Sequence, residues 1–252
     1  MIIVGTGRVG GALAKRAEAA GADVSLVTRE EGWRAIDERD DPIFVAVRND
    51  DLDGVLARVA PAHHGRFVFT QNGMLRPWLS QHGLLHLASR GLLFFAVAAR
   101  GAPLVPGSES LFAGPQAPAV VAWLRRLEIP ARQVAPEAFA EVELEKLLWN
   151  CTMGLMCELT GTTVGDVVDR HTAQWRDLVD ELLRVGMPCF GLDLDPPAQR
   201  ALEARLASYS RSISDYRASV KEWPWRNGFF VEVATTPGLH HELLTRTGHL
   251  PR

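Results

Sequence analysis

The stretch Gly5-Thr6-Gly7-Arg8-Val9-Gly10-Gly11 limits what this chain can fold into more than any other. It follows Ile2-Ile3-Val4, which reads as a short strand, and leads into a helix-like run, Ala12 to Ala20, that ends on Gly21. A strand, a G-x-G-x-x-G turn and a helix in that order open a βαβ unit. The first glycine permits the tight turn. The second lets a pyrophosphate approach backbone amides at the positive end of the helix. The third permits close packing of helix on strand. Gly5, Gly7, Arg8, Val9 and Gly10 are therefore candidate dinucleotide-binding residues. The same glycines also fit a plain α/β turn without a ligand.

The next segments extend the pattern. Val24 to Val27, Ile43 to Val47 and Arg66 to Thr70 read as strands, and Leu52 to Val59 is helical by period. Strands alternating with helices at this spacing predict a parallel, doubly wound sheet. Hairpin-like strands are expected over 92–97 and 110–113, then a helix over 117–127 and a strand near 132–134. From about Phe139 helical periodicity dominates, with helices expected over 139–158, 164–186, 197–219, 226–233 and 238–246. Pro136 marks the boundary. The expected fold class is α/β, a Rossmann-type doubly wound sheet followed by an all-helical part. Residues 1–136 form the dinucleotide-binding domain, and 137–252 form a helical domain for substrate and dimerisation.

Composition removes several alternatives. With 252 residues, 47% of them hydrophobic, the chain can bury a sizeable core. A net charge of −3 gives no basic footprint for nucleic acid. Three cysteines without C-x-x-C spacing argue against a disulfide framework or zinc site and for a reducing compartment. The pairs His63-His64 and His240-His241 lack a convergent acid or cysteine, so they read as surface residues and no metal is expected. The seven tryptophans read as core and interface residues. No apolar run reaches the roughly 18 residues of a membrane span, and the chain opens on a strand rather than a leader. The expected location is the cytoplasm.

The end of the second strand selects the dinucleotide. An acidic residue there binds the ribose 2′-hydroxyl of NAD, whereas an arginine pairs with the 2′-phosphate of NADP. Here Arg29 follows Thr28, which favours NADP. Glu30 and Glu31 come next, so Arg29 also fits a solvated loop residue paired with them. Arg48 ends another strand and fits either the cofactor cleft or a loop charge. Asn72-Gly73 follows the strand of Phe67 to Thr70. It reads as a turn signal, or as a ligand contact beyond the carboxyl end of the sheet.

Only three of the 27 basic residues are lysines: Lys15, Lys146 and Lys221. Burial can bring a lysine toward working pH, whereas arginine stays charged. A chain that has nearly abandoned lysine yet keeps Lys146 in an apolar helix suits a proton donor. Lys146, Asn150 and Gly154 share one helix face, and a glycine there leaves room for a ligand. Two plainer readings stand beside this: a surface ion pair of Glu143 with Lys146, and an Asn150 bonded to a neighbouring helix. Lys221 is a weaker rival for the acid role, and Lys15 reads as solvated.

Four islands in this order resemble the ketopantoate reductase family: GTGRVGG, Thr28-Arg29, FVFTQNG, and EKLLWNC with KEWPWRNGFF. The resemblance implies an NADPH-dependent reductase that transfers a hydride to the carbonyl of a small 2-oxoacid, with 2-dehydropantoate (ketopantoate) giving pantoate. By the same resemblance, Lys146 is the general acid and Asn72 lies by the nicotinamide and orients it. Asn150 binds substrate, and Glu222, in a segment matching T-E-I-x-x-I-N-G, holds the substrate hydroxyl. The family's serine falls among Ser210, Ser212 and Ser214, and Ser210 keeps the spacing. Two departures stand out. Gly154 replaces a second asparagine, and Trp223-Pro224-Trp225 replaces a less bulky segment. They leave open a related reductase of another oxoacid. A non-catalytic NADP-binding or sensing protein is the further alternative. Apolar helices in the second domain fit a homodimer.

Overall fold

Three runs that are apolar at every position are buried along their whole length: Ile2–Val4, Ile43–Val45 and Phe67–Phe69. A strand covered on both faces has no side to leave polar, so its sequence does not alternate. These are central strands of a seven-stranded sheet in the computed structural model, which describes residues 1–251. In chain order the elements are β1 (Ile2–Val4), α1 (Arg8–Ala19), β2 (Ser25–Val27), α2 (Arg34–Glu38), β3 (Ile43–Val45), α3 (Leu52–Leu56), β4 (Phe67–Phe69) and α4 (Arg76–Gln81). Then come β5 (Ser89–Leu92), β6 (Phe95–Ala96), β7 (Val105–Pro106), β8 (Ser110–Ala113), α5 (Ala117–Arg126) and β9 (Ala131–Gln133).

The sheet order is β2-β1-β3-β4-β5-β8-β9. β1 to β5 run parallel, β8 is antiparallel to β5, and β9 is parallel to β8. β6 and β7 pair as a separate antiparallel ribbon. The expected hairpin-like region is thus two pairings, and its main strand starts earlier, at Ser89. Chain order reverses at β1, which has β2 on one side and β3 on the other. Such a switch point leaves a crevice beyond the carboxyl ends of the strands, where ligands of open α/β sheets bind. The doubly wound fold class read from the sequence is the one observed.

The helical part contains α6 (Pro136–Thr160), α7 (Val164–Arg170), α8 (Thr172–Phe190), α9 (Pro196–Ser212), α10 (Asn227–Val233) and α11 (Leu239–Arg246). Leu147, Leu148, Cys151, Met153, Leu155 and Met156 of α6 are all buried. A helix apolar all round must be enclosed by other helices, and α6 is the centre of this core. Contacts gather the chain into two units. One is Met1–Gln71 with Leu75–Phe139, and the other is Asn72–Met74 with the chain from Ala140 onward. Among the described residues, no helix is long and apolar enough to cross a membrane.

Two helices differ from their expected spans. The run 164–186 is two helices, broken at His171 (φ −118°), and the second continues to Phe190. Both bury apolar faces, so periodicity alone runs through the break. The run 197–219 stops at Ser212. Beyond it the chain leaves helical form and crosses α7 and α6. The amides of Val164 and Gly165 donate to the carbonyls of Tyr216 and Ser214, and Val220 N–H donates to Glu158. Ile213, Ala218 and Val220 pack on the helical core, which mimics a continuing apolar face.

Candidate active site

The glycine turn is built as its three roles require. Gly5 has φ +102°, and a Cβ there would stand 2.8 Å from Val47 Cγ1 and 2.9 Å from the Ala46 carbonyl oxygen. Only glycine takes that backbone shape without strain. A Cβ on Gly10 would lie 2.0 Å from the Gly5 carbonyl oxygen, so the start of α1 packs directly on the turn. At Gly7 nothing lies within 4 Å of the Cβ position. Gly7 and Arg8 are exposed and Val9 is half-buried. The first turn of α1 contains no acidic residue and no side-chain cap. Its amides therefore keep their positive potential at the carboxyl end of β1.

Arg29 leaves the carboxyl end of β2 with 81% of its side chain exposed, and its guanidinium meets Asp51 at 3.1 Å. Its partner is Asp51 rather than Glu30 or Glu31, whose amides donate to Thr28 Oγ1. Sequence reading missed Arg58, which donates to the Arg29 carbonyl and lies 5.0 Å over the Trp33 ring. Nothing local joins positions 58 and 29; only the fold brings them together. Arg48 is exposed and opens the short 3-10 turn Asn49–Asp51.

A second missed residue is Gln71. Its Nε2 donates to the carbonyls of Val45 and Val47, both at 3.1 Å, while its Oε1 is buried without a hydrogen-bond partner. The buried Arg90 donates to the carbonyls of Phe69 and Gln71 at 2.9 and 3.3 Å. Together they tie the carboxyl ends of β3 and β4 to each other and to Arg90 near the start of β5. Asn72 is half-buried. Gly73 after it has φ +91°, and a Cβ there would be 2.5 Å from the Trp225 carbonyl oxygen, which accepts from Met74 N–H at 2.6 Å. The Asn-Gly pair is thus a tight turn docked on the backbone of Trp225.

On α6, Lys146 and Asn150 are half-buried, and Asn150 Nδ2 donates to the Lys146 carbonyl at 2.7 Å. That bond turns the carboxamide along its own helix rather than toward a neighbouring one. Glu143, one turn before Lys146 on the same helix, is 3% exposed and so does not lie on the surface. The expected room for a ligand at Gly154 is filled by protein. A Cβ there would lie 2.8 Å from the Ser219 carbonyl oxygen and 3.2 Å from Val220 N. The glycine serves the crossing segment.

Glu222 is exposed, has φ +51° and is paired with Arg226 at 2.5 Å. Ser210 is fully buried; its hydroxyl donates to the Leu206 carbonyl at 2.9 Å and accepts from Trp149 Nε1 at 3.0 Å. Ser212 and Ser214 are exposed and bond to the Tyr209 carbonyl and Asp215. Lys15 and Lys221 are exposed. Trp223 stacks on His249 with centroids 6.0 Å apart. His240 is not the surface residue expected. It is 3% exposed and its Nε2 shares a 2.8 Å hydrogen bond with Asn227 Oδ1. All three cysteines are free thiols, with Cys151 and Cys157 buried.

No protein-family model and no curated protein matches this sequence. Solved structures match it from end to end. A PanE/ApbA family ketopantoate reductase from Ralstonia eutropha aligns with a TM-score of 0.72 at 16% identity, over 99% of both chains. This chain has the ketopantoate reductase fold. A dimeric ketopantoate reductase from Staphylococcus aureus gives 0.69 at 15% identity over 98% of both chains. D-mandelate dehydrogenase in complex with NADH gives 0.73 at 15%, covering 98% of this chain and 97% of that one. Identities this low establish the fold alone. Within the ketopantoate reductase fold, the residues of this chain suit a dinucleotide. The turn is open at Gly7, the helix start is free of acids, and Gln71 Oε1 is a buried acceptor awaiting a donor.

Proposed function

We propose that this protein is an NADPH-dependent reductase of small 2-oxoacids, with ketopantoate, reduced to pantoate, as the leading substrate. The observation that carries the reading is the end-to-end likeness to ketopantoate reductases and D-mandelate dehydrogenase, joined to an open glycine turn at the switch point of the sheet. Gly5, Gly7, Arg8, Val9 and Gly10 would hold the pyrophosphate, with Arg48 beside them. Arg29 would meet the 2′-phosphate once released from Asp51, with Arg58 adding charge. The bound nicotinamide would supply the hydride.

The chain's own chemistry is proton delivery and positioning. Lys146 would give the proton to the carbonyl oxygen, a role open to an ammonium and closed to a guanidinium, which stays charged. The Asn150–Lys146 bond stiffens the turn of α6 that presents it. Asn72 would orient the lysine, Asn150 would bind substrate, and Glu222 would hold the substrate hydroxyl. Ser210 would contribute from the end of α9. A homodimer in the cytoplasm goes with this reading, and the dimeric staphylococcal neighbour and the free thiols support it.

The test is loss of NADPH absorbance with ketopantoate and a panel of other 2-oxoacids, in wild type and Lys146→Ala. Turnover of ketopantoate is expected, with kcat about 10²–10⁴-fold lower in the variant. Lys146→Arg should not rescue it. Turnover only of an aromatic oxoacid would favour the second reading, another oxoacid substrate. The bulky Trp223-Pro224-Trp225 turn and the D-mandelate dehydrogenase neighbour point that way. NADPH binding without turnover of any oxoacid would leave the non-catalytic sensor.

A further inference from the structure

Arg226 stands where the T-E-I-x-x-I-N-G pattern carries an apolar residue, and only 9% of it is exposed. A guanidinium taken out of water is costly unless its donors are met. Here one is not. Nη2 donates to the Glu222 carboxylate at 2.5 Å, while Nε is buried with no hydrogen-bond partner. Glu222 sits in the left-handed backbone region, which a residue with a Cβ keeps only where its surroundings hold it there. The α6 turn next to Asn150 lies within electrostatic reach. Burial pushes the Cys151 thiol up, and the Arg226 charge opposes that shift. The Nε–Nη2 edge of a guanidinium takes a carboxylate side-on through two parallel bonds. Glu222 uses half of that edge.

We infer that the Nε–Nη2 edge of Arg226 is the anchor for the carboxylate of the substrate, and that Glu222 holds part of this edge until an oxoacid displaces it. The inference rests on the 2-oxoacid reading above and names the group that recognises the acid. The exchange conserves charge, because one carboxylate replaces another on the same guanidinium. It satisfies Nε, and it releases Glu222 for the hydroxyl-holding role.

The test uses oxamate, an unreactive analogue carrying the carboxylate, and oxamide, its neutral counterpart. Each is titrated calorimetrically into the full chain saturated with NADPH. Wild type should bind oxamate and not oxamide. Arg226→Leu should weaken oxamate about 30-fold or more, the loss expected when a buried charge partner is removed. Arg226→Lys keeps the charge without the paired donors. It should fall between the two, and it covers the case of a leucine variant that does not fold. Glu222→Gln no longer competes for Nη2 and should bind oxamate several-fold more tightly; a merely structural Glu222–Arg226 pair predicts no gain. Unchanged oxamate affinity in both Arg226 variants, or equal binding of oxamide by wild type, would overturn the inference. NADPH affinity separates the two failures. Wild type that binds NADPH but not oxamate removes the Arg226 assignment alone, whereas loss of both removes the reductase reading too.

Discussion

His240 shows how a single side chain can set behaviour that no site assignment foresees. Burial, helped by the charge of neighbouring His241, pushes it down to about 4 from an ordinary 6.5. Its folded pKa is depressed, so its contribution to stability is complete above about 6.5. That contribution is lost as pH falls toward 4, because the unfolded chain takes up a proton that the native state refuses. At 1.36 kcal/mol per unit this amounts to about 3 kcal/mol. Denaturant midpoints should therefore drop between pH 7 and pH 4.5, and His240→Gln should flatten that slope while costing stability at pH 7. A second single-residue test concerns Asp51, an exposed partner of Arg29. Exposed pairs are worth up to about 1 kcal/mol, so Asp51→Asn should tighten NADPH by up to about fivefold and leave NADH unchanged. Equal effects on both cofactors would detach Arg29 from the 2′-phosphate.

At the scale of elements, α6 and the segment crossing it explain a departure that looked like a change of substrate. Replacing glycine with alanine inside a helix ordinarily stabilises it by up to about 1 kcal/mol. At Gly154 the new methyl would meet the Ser219 carbonyl at 2.8 Å, and that backbone is held by Val220 N–H on Glu158. Overpacking of this kind costs about 1–3 kcal/mol. Gly154→Ala should therefore lower the urea midpoint; a rise would show that the crossing segment yields freely. The same segment accounts for what periodicity misread. Ile213, Ala218 and Val220 keep an apolar rhythm after the helix has ended, because the turn and the non-helical segment that follow still pack on the core. The central strands were legible for the opposite reason. Runs as short and continuous as Phe67–Phe69 have few ways to be buried other than inside a parallel sheet.

At the scale of the molecule, cofactor binding should appear as stability, since a ligand that binds only the folded chain adds RT ln(1 + [L]/Kd). NADPH at 100 times its Kd contributes about 2.7 kcal/mol, which scanning calorimetry reads as a rise of several degrees in Tm. Gly10→Ala would drive a Cβ to 2.0 Å from the Gly5 carbonyl oxygen and should abolish the rise. A full rise in that variant would remove the glycine turn from the binding site.

The sequence by itself determined the first βαβ unit, the doubly wound sheet, the mainly helical character of the chain after Pro136 and the candidate set around Gly5, Arg29, Asn72, Lys146 and Glu222. Glycine spacing, apolar runs and helical period are local signals, and local backbone sterics and burial enforce them. Only the tertiary structure decided that Gly154 makes room for Ser219, that Arg29 meets Asp51, that Gln71 ties two strand ends, and that Arg226 is buried with its Nε unmet. Partners such as Arg29 and Asp51, or Gly154 and Ser219, are far apart in the chain. Which segment fills a gap or meets a charge depends on how whole elements pack, and no window along the sequence contains both sides of that choice.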